Sequence, residues 1–174
     1  MFKSIFRHPR AWPLLTLLLL LMVNVVFNPG FLHIEWRDGH LYGSLIDILN
    51  RAAPLVLVSL GMTMVIATRG IDISVGAVVA IAAAVAAWMI GGAVSGTESR
   101  FPLPGAIAGA MGVALLCGLW NGLLVAKVGM QPIIATLILM VAGRGVAQLL
   151  TDGQIVTVYY PPYFYIGSGY LWGL

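Results

Sequence analysis

A guanidinium, a carboxylate and a hydroxyl stand close together in Arg69-Gly70-Ile71-Asp72-Ile73-Ser74-Val75-Gly76, between long stretches that carry no charge. A carboxylate in an apolar setting can pass protons along a relay. It can equally cap the helix that follows, where it meets the positive end of the helix dipole, with Arg69 as its charge partner and Ser74 sharing the capping. Both readings make the segment a polar hinge. Ser59, Asn121 and Thr136 are neutral hydrogen-bonding groups within apolar runs, and Gln131 and Gln148 bracket another. Hydrocarbon offers such groups no partner, so they either bond between helices or line a solute pathway. Arg144, between Gly143 and Gly145, either snorkels to an aqueous surface or serves as an ion-pair or pathway residue.

Groupings that would make an enzyme are missing. His8, His33 and His40 lack the spacing of metal ligands, and Glu35 with Asp38 or Asp47 reads as a solvated face. No Gly-x-x-x-x-Gly-Lys-Ser/Thr loop occurs to cradle a nucleotide phosphate, and no Ser-His-Asp or Cys-His set can be assembled. The lone Cys117 lies in an apolar run and has no disulfide partner. No catalytic residue, metal or cofactor is expected.

The elements that carry these residues follow from how scarce charge is. The chain is 60% hydrophobic and 9% charged, with a mean hydropathy of +0.99. No water-soluble domain of this size needs so little charge. Uncharged gaps run from Arg10 to Glu35, Arg51 to Arg69, Asp72 to Glu98, Arg100 to Lys127 and Lys127 to Arg144. Each approaches or exceeds the roughly 17–25 residues that a spanning helix needs. The expected fold is an all-α, polytopic transmembrane bundle with spans near 12–27, 52–68, 74–92, 105–126 and 132–150, surrounded by membrane lipid. Asn28-Pro29-Gly30, Pro102-Leu103-Pro104 and Gly129 mark the turns. Pro13, Pro54 and Pro132 are placed near helix starts, where the missing N–H costs little. Lys3, Arg7 and Arg10 put the N terminus in the cytoplasm, which makes 69–73 and 127–131 cytoplasmic and leaves 28–51, 93–104 and the tail from Thr151 external. Trp12, Trp88 and Trp172 fall near the interfaces. The net charge of +3 comes without a basic run, so it reads as flanking charge that orients helices, not as a nucleic-acid surface.

Rows of small side chains show how the helices would meet. Ala106, Ala110, Ala114, Gly118, Gly122 and Ala126 repeat along the fourth span, with Gly105 and Gly109 as a second pair. Gly76, Ala80 and Ala84 do the same on the third. Lipid provides no hydrophobic force between helices, and small residues let backbones approach instead.

Several motifs in order make the chain resemble a known family. Gly70-Ile71-Asp72-Ile73-Ser74-Val75-Gly76 is followed by Asn121-Gly122, Lys127, Pro132, Ala135-Thr136-Leu137 and Arg144-Gly145. This series is similar to that of the membrane permease subunits of bacterial ATP-binding-cassette sugar importers, the ribose, arabinose, xylose and galactofuranose group, and within it most to the galactofuranose permeases. Tyr165-Ile166-Gly167-Ser168-Gly169 suits an external loop of that group.

The resemblance implies a multi-pass inner-membrane permease that forms a monosaccharide pathway as a dimer with a second permease copy. Its partners would be cytoplasmic ATP-binding subunits and a periplasmic sugar-binding protein. Asn121, Gln131, Thr136, Ser59 and Arg144 are then the candidate pathway residues. Arg69, Gly70, Asp72, Ser74 and Gly76 shape the hinge, and Ala110, Ala114, Gly118 and Gly122 serve helix packing. The chain reads as a single permease domain over 1–174. It is C-terminally incomplete relative to the family, whose ATPase-docking segment has no counterpart after Thr151. Two alternatives stand beside this reading: a proton-coupled carrier that titrates Asp72, and an inactive truncated permease or membrane scaffold.

Overall fold

The computed structural model of the protein describes residues 11–37, 40–91 and 100–168. Expectations resting on Lys3, Arg7, His8, Arg10, Asp38, Glu98, Gly169 and Trp172 lie outside the described residues. In chain order the elements are α1 (Ala11–Phe27), β1 (Glu35–Arg37), β2 (His40–Tyr42), α2 (Ser44–Ala67), α3 (Val75–Ile90), α4 (Leu103–Ala126), α5 (Pro132–Leu150) and α6 (Pro161–Ser168). Apart from one hairpin, the regular elements of the described chain are helices. By contacts it forms two compact units, meeting between Val56 and Leu57 within α2.

The first unit begins with α1, whose residues are nearly all exposed and none buried. A helix of this composition must still satisfy its few polar side chains. Thr16 Oγ1 donates back to the Trp12 carbonyl at 2.7 Å and Asn24 Nδ2 to the Leu20 carbonyl at 3.0 Å. Pro29 cannot continue the helix, and the chain turns with Phe31 N–H bonded to the Asn28 carbonyl at 2.9 Å. The hairpin that follows was not expected from the sequence. Its register pairs Glu35 with Tyr42, Trp36 with Leu41 and Arg37 with His40.

Helix α2 corrects the expected boundary. It starts at Ser44, not near residue 52, so Pro54 lies inside the helix rather than at its start. The polar turn Ser44–Arg51 hid the beginning of a helix that was sought through apolar residues alone. With 24 residues it is about 36 Å long, more than the roughly 30 Å of a hydrocarbon core, so its polar turns can stand outside the apolar layer. Pro54 lacks the N–H that would bond the Asn50 carbonyl, and the boundary between the two units falls just after it.

In the second unit α3 packs against both α4 and α5. Its alanine-rich sequence allows this on opposite sides. Ala77, Ile81 and Ala84 are buried on one face and Ala86 and Ile90 on the other, since each residue advances about 100° around the axis. Toward α5, a Cβ placed on Gly143 would stand 3.0 Å from Ile81 Cδ1 and 3.1 Å from Ala77 Cβ. Toward α4, a Cβ on Gly109 would run into Met89 Sδ. At the far end of α3, Gly91 turns with φ 82°. Arg100 and Phe101 bond back to the carbonyls of Ile90 and Met89, and the Arg100 guanidinium lies 5.8 Å from the centre of a Trp88 ring.

The small-residue row of α4 divides. Ala106 is buried, Ala110 and Ala114 are half-buried, and Gly118 and Gly122 are exposed. A Cβ on either glycine would meet nothing within 4 Å. The reason is geometric: a row of every fourth residue winds about 40° per step around a helix, so from Ala106 to Gly122 it turns roughly 160° away. Helices α1, α3, α4 and α5 begin and end within two residues of the expected spans. Of the helices, α2, α4 and α5 are long and apolar enough to cross a membrane, while α1 and α3 are shorter apolar helices. After α5 the chain reverses through Asp152 and Gly153, both at positive φ. Tyr165 to Ser168 form the last part of α6.

These approaches predict an asymmetry between two neighbouring glycines. Gly143→Leu drives a side chain into α3 and should cost about 1–3 kcal/mol, as overpacking does. Gly145→Leu, with nothing within 4 Å of its Cβ, should be neutral or slightly stabilising because leucine favours helix. Thermal unfolding of the two variants in detergent measures the difference.

Candidate functional site

The end of α2 sets the geometry of the hinge. Gly70 N–H bonds the Val65 carbonyl at 3.0 Å and Arg69 N–H the Ile66 carbonyl at 2.9 Å, the paired bonds of a Schellman cap. The residue that must adopt the left-handed conformation there is Arg69, with φ 59°. A non-glycine residue pays about 1 kcal/mol for this. Gly70 is needed for a different reason, because a Cβ would lie 3.2 Å from the Val65 oxygen. Arg69 is exposed and forms no ion pair with Asp72. The expected charge pairing is therefore absent: the left-handed turn sends the guanidinium outward while the carboxylate faces along the chain.

Asp72 Oδ1 accepts two hydrogen bonds from Ser74, one from the backbone N–H at 2.7 Å and one from the hydroxyl at 2.6 Å. The carboxylate thus sits over the start of α3, where the helix dipole favours negative charge. Ser74 holds the N-cap position but makes no side-chain cap bond. This corrects the expectation that Ser74 shares the capping: its hydroxyl hydrogen is committed to Asp72. Ser74 is 0% exposed, and its oxygen accepts from Asn121 Nδ2 at 3.0 Å.

This series fixes which way the Asn121 amide points. A carboxylate only accepts, so the Ser74 hydroxyl must donate to it; the Ser74 oxygen can then only accept from Asn121. Nδ2 is turned to Ser74 and Oδ1 to the other side. Asn121 is 7% exposed, and its Oδ1 is buried without a hydrogen-bond partner. An acceptor left so costs about 1–3 kcal/mol.

Thr136 ties the hinge to α5. Its hydroxyl donates to the Pro132 carbonyl at 2.9 Å and accepts the Ile73 N–H at 3.4 Å. It is 3% exposed. Asp72, Asn121 and Thr136 line a cavity of about 470 Å³ together with Thr68, Gly118 and Gly122. Most of the remaining wall is apolar. A cavity of this size can hold a small organic ligand, for which a few placed polar groups in an apolar wall are typical.

Of the expected pathway residues, the structure brings Asn121 and Thr136 to one cavity. Ser59, Gln131 and Arg144 are exposed and do not line it. Gln131 holds the N-cap position of α5 with no side-chain cap bond. Arg144 follows Gly143, which faces α3, so it points elsewhere. Gly76 is exposed, with open space around a Cβ position. Gly118 and Gly122, read from the sequence as packing residues, leave room in the cavity wall instead. Thr68 was not singled out; its hydroxyl donates to the Val65 carbonyl at 2.8 Å, and its place just before Arg69-Gly70 was the available signal. No cluster of three or more His, Cys, Asp or Glu occurs among the described residues.

Residues 44–170 match the family described as branched-chain amino acid transport system / permease component. The chain belongs to this family and is a multi-pass inner-membrane protein. It is 54% identical over 170 residues to the galactofuranose transporter permease protein YtfT of Escherichia coli K12, which covers 97% of this chain and 48% of that protein. It is 37% identical over 154 residues to the fructose import permease protein FruF of Bifidobacterium longum, covering 87% of this chain and 41% of that one. To the ribose import permease protein RbsC of Bacillus subtilis it is 37% identical over 164 residues, or 93% and 46% of the two chains. The chain thus spans about half the length of the curated relatives it matches. No solved structure matches it significantly.

The series Asp72–Ser74–Asn121 predicts a double-mutant result. Ser74→Ala strips Asn121 Nδ2 of its acceptor and should destabilise the protein by about 1–3 kcal/mol. Adding Asn121→Leu removes the orphaned amide as well, so the double variant should lose less than the two single losses added together. Unfolding in detergent of the four proteins gives the coupling; strict additivity would mean that the two side chains do not interact.

Proposed function

We propose that this chain is part of the membrane permease of an ATP-driven importer and forms the path for a monosaccharide handed over by a separate binding protein. The observation that carries this is the identity of 54% along 97% of the chain with a galactofuranose transporter permease. The fructose and ribose import permeases among its relatives support a sugar as the cargo, and galactofuranose is the sugar we favour. The partners on this reading are cytoplasmic ATP-binding subunits, a periplasmic sugar-binding protein and a second permease copy. ATP is hydrolysed by the separate subunits, and this chain is not itself an enzyme.

Asn121 and Thr136 are assigned to the path, with the segment Arg69–Gly76 as the hinge beside it. Sugar hydroxyls both donate and accept, and neutral amides and hydroxyls match them without leaving a charge to be neutralised. The cavity meets this requirement with few polar groups in an apolar wall. For net movement the permease must hold the sugar with unequal affinity in two conformations, because equal binding shifts nothing.

Uptake tests the reading. Cells that lack other galactose uptake and make all the remaining transporter subunits should accumulate labelled galactose only when this chain is also made. Unlabelled galactose should compete and leucine should not. Uptake that is unchanged without the chain, or competition by leucine alone, would overturn the sugar assignment.

A further inference from the structure

Asn121 lines the cavity while its orphaned acceptor is shut off from solvent, and that acceptor identifies what a ligand must bring. Asn121 Nδ2 is committed to Ser74, so the side of the amide left over is its Oδ1, which has no partner. The amide cannot turn round to offer its N–H instead. Ser74 Oγ has its single hydrogen on Asp72 Oδ1 at 2.6 Å, and would then face Asn121 Oδ1 acceptor to acceptor. The neighbouring hydroxyls do not fill the gap either, since Thr68 donates to the Val65 carbonyl and Thr136 to the Pro132 carbonyl.

We infer that Asn121 Oδ1 is a specificity determinant that accepts a hydrogen bond from one hydroxyl of the transported sugar. The inference rests on the sugar-permease reading and deepens it, by assigning part of the selectivity to the permease itself. The oxygen is shut off from solvent in this conformation. The hydroxyl therefore reaches it in a second conformation, in which the wall around Asn121 opens. One acceptor that is masked in one state and offered in the other gives the two states the unequal affinity that transport requires. A site built to bond a hydroxyl also rejects analogues that lack it, because the buried group is then left unpaired.

The test combines sugar analogues with variants in the complete transporter, measured as uptake efficiency. Galactose is compared with its monodeoxyfluoro analogues, in each of which one hydroxyl is replaced by fluorine, which is similar in size but cannot donate. Wild type should discriminate against one analogue by about tenfold or more. Asn121→Ala should reduce that same discrimination to within about twofold. Preferences of the binding protein affect both transporters equally and cancel in the ratio. Ser74→Ala frees the amide to rotate and should also weaken the discrimination, without any change at Asn121. Galactose uptake with identical analogue ratios in wild type and both variants would overturn the role of Asn121 and leave the permease reading standing. Absence of galactose uptake by the wild-type transporter would overturn that reading and this inference with it.

Discussion

A non-helical stretch between two apolar helices is tolerated in a membrane only if protein or a water-filled cavity satisfies its polar groups. Residues 68–74 are such a stretch, and the way they are satisfied organises what surrounds them. At one end the Schellman cap closes the last carbonyls of α2. At the other the Asp72 carboxylate receives the Ser74 N–H at the start of α3. Thr136 reaches across from α5 to the Ile73 N–H, and Asn121 reaches from α4 to the Ser74 hydroxyl. Four helices thereby meet at a single short segment, and the cavity is the space left beside it.

The packing of α3 follows from the same constraint. A helix anchored at its first turn to both α4 and α5 must run between them, and alanine and glycine permit this without separating the neighbours. Close approach occurs where Gly143 and Gly109 face α3. Gly118 and Gly122 lie where the row on α4 has wound away from α3, so the same residue type that permits contact at one level leaves space at another. In contrast, α1 and α2 bury nothing among the described residues. Their exposed leucines, valines and isoleucines suit a surface whose solvent is lipid.

Much of this was legible in the residues. Charge scarcity located four helices within two residues of their ends, because a run that must cross hydrocarbon cannot carry charge. The same rule misplaced the start of α2, because it is silent about helical turns that carry charge, and Ser44–Arg51 holds Asp47 and Arg51. The hairpin Glu35–Tyr42 is too short to show a period. At the site, polar residue types within apolar runs singled out Asn121 and Thr136 as pathway candidates, and the structure brings both to one cavity with Asp72. They could not say that Ser59, Gln131 and Arg144 face elsewhere, since that depends on rotation about the helix axis. Nor could adjacency in sequence reveal that Arg69 and Asp72 stay apart. The left-handed turn at Arg69 belongs to the cap of α2, and that choice is made by three-dimensional fit.

The polarity of the buried series is set from its far end. Asp72 Oδ1 accepts both the N–H and the hydroxyl of Ser74, and this commits the Ser74 hydrogen and turns the Asn121 amide nitrogen toward Ser74. A residue that does not touch the amide thus decides which of its two polar atoms is left unpaired. The arrangement leaves one acceptor unsatisfied, and a buried polar network in that condition is unfavourable relative to a fully bonded one. The conformation described therefore carries a cost that a second conformation, or a bound hydroxyl, can relieve. On the importer reading proposed above, such a difference between states is what transport requires, because closure of partner subunits can only bias an equilibrium whose two sides bind the solute unequally. Were Asn121 fully bonded within the chain, its amide would fasten α4 to the hinge equally well but would have no acceptor left for a ligand hydroxyl.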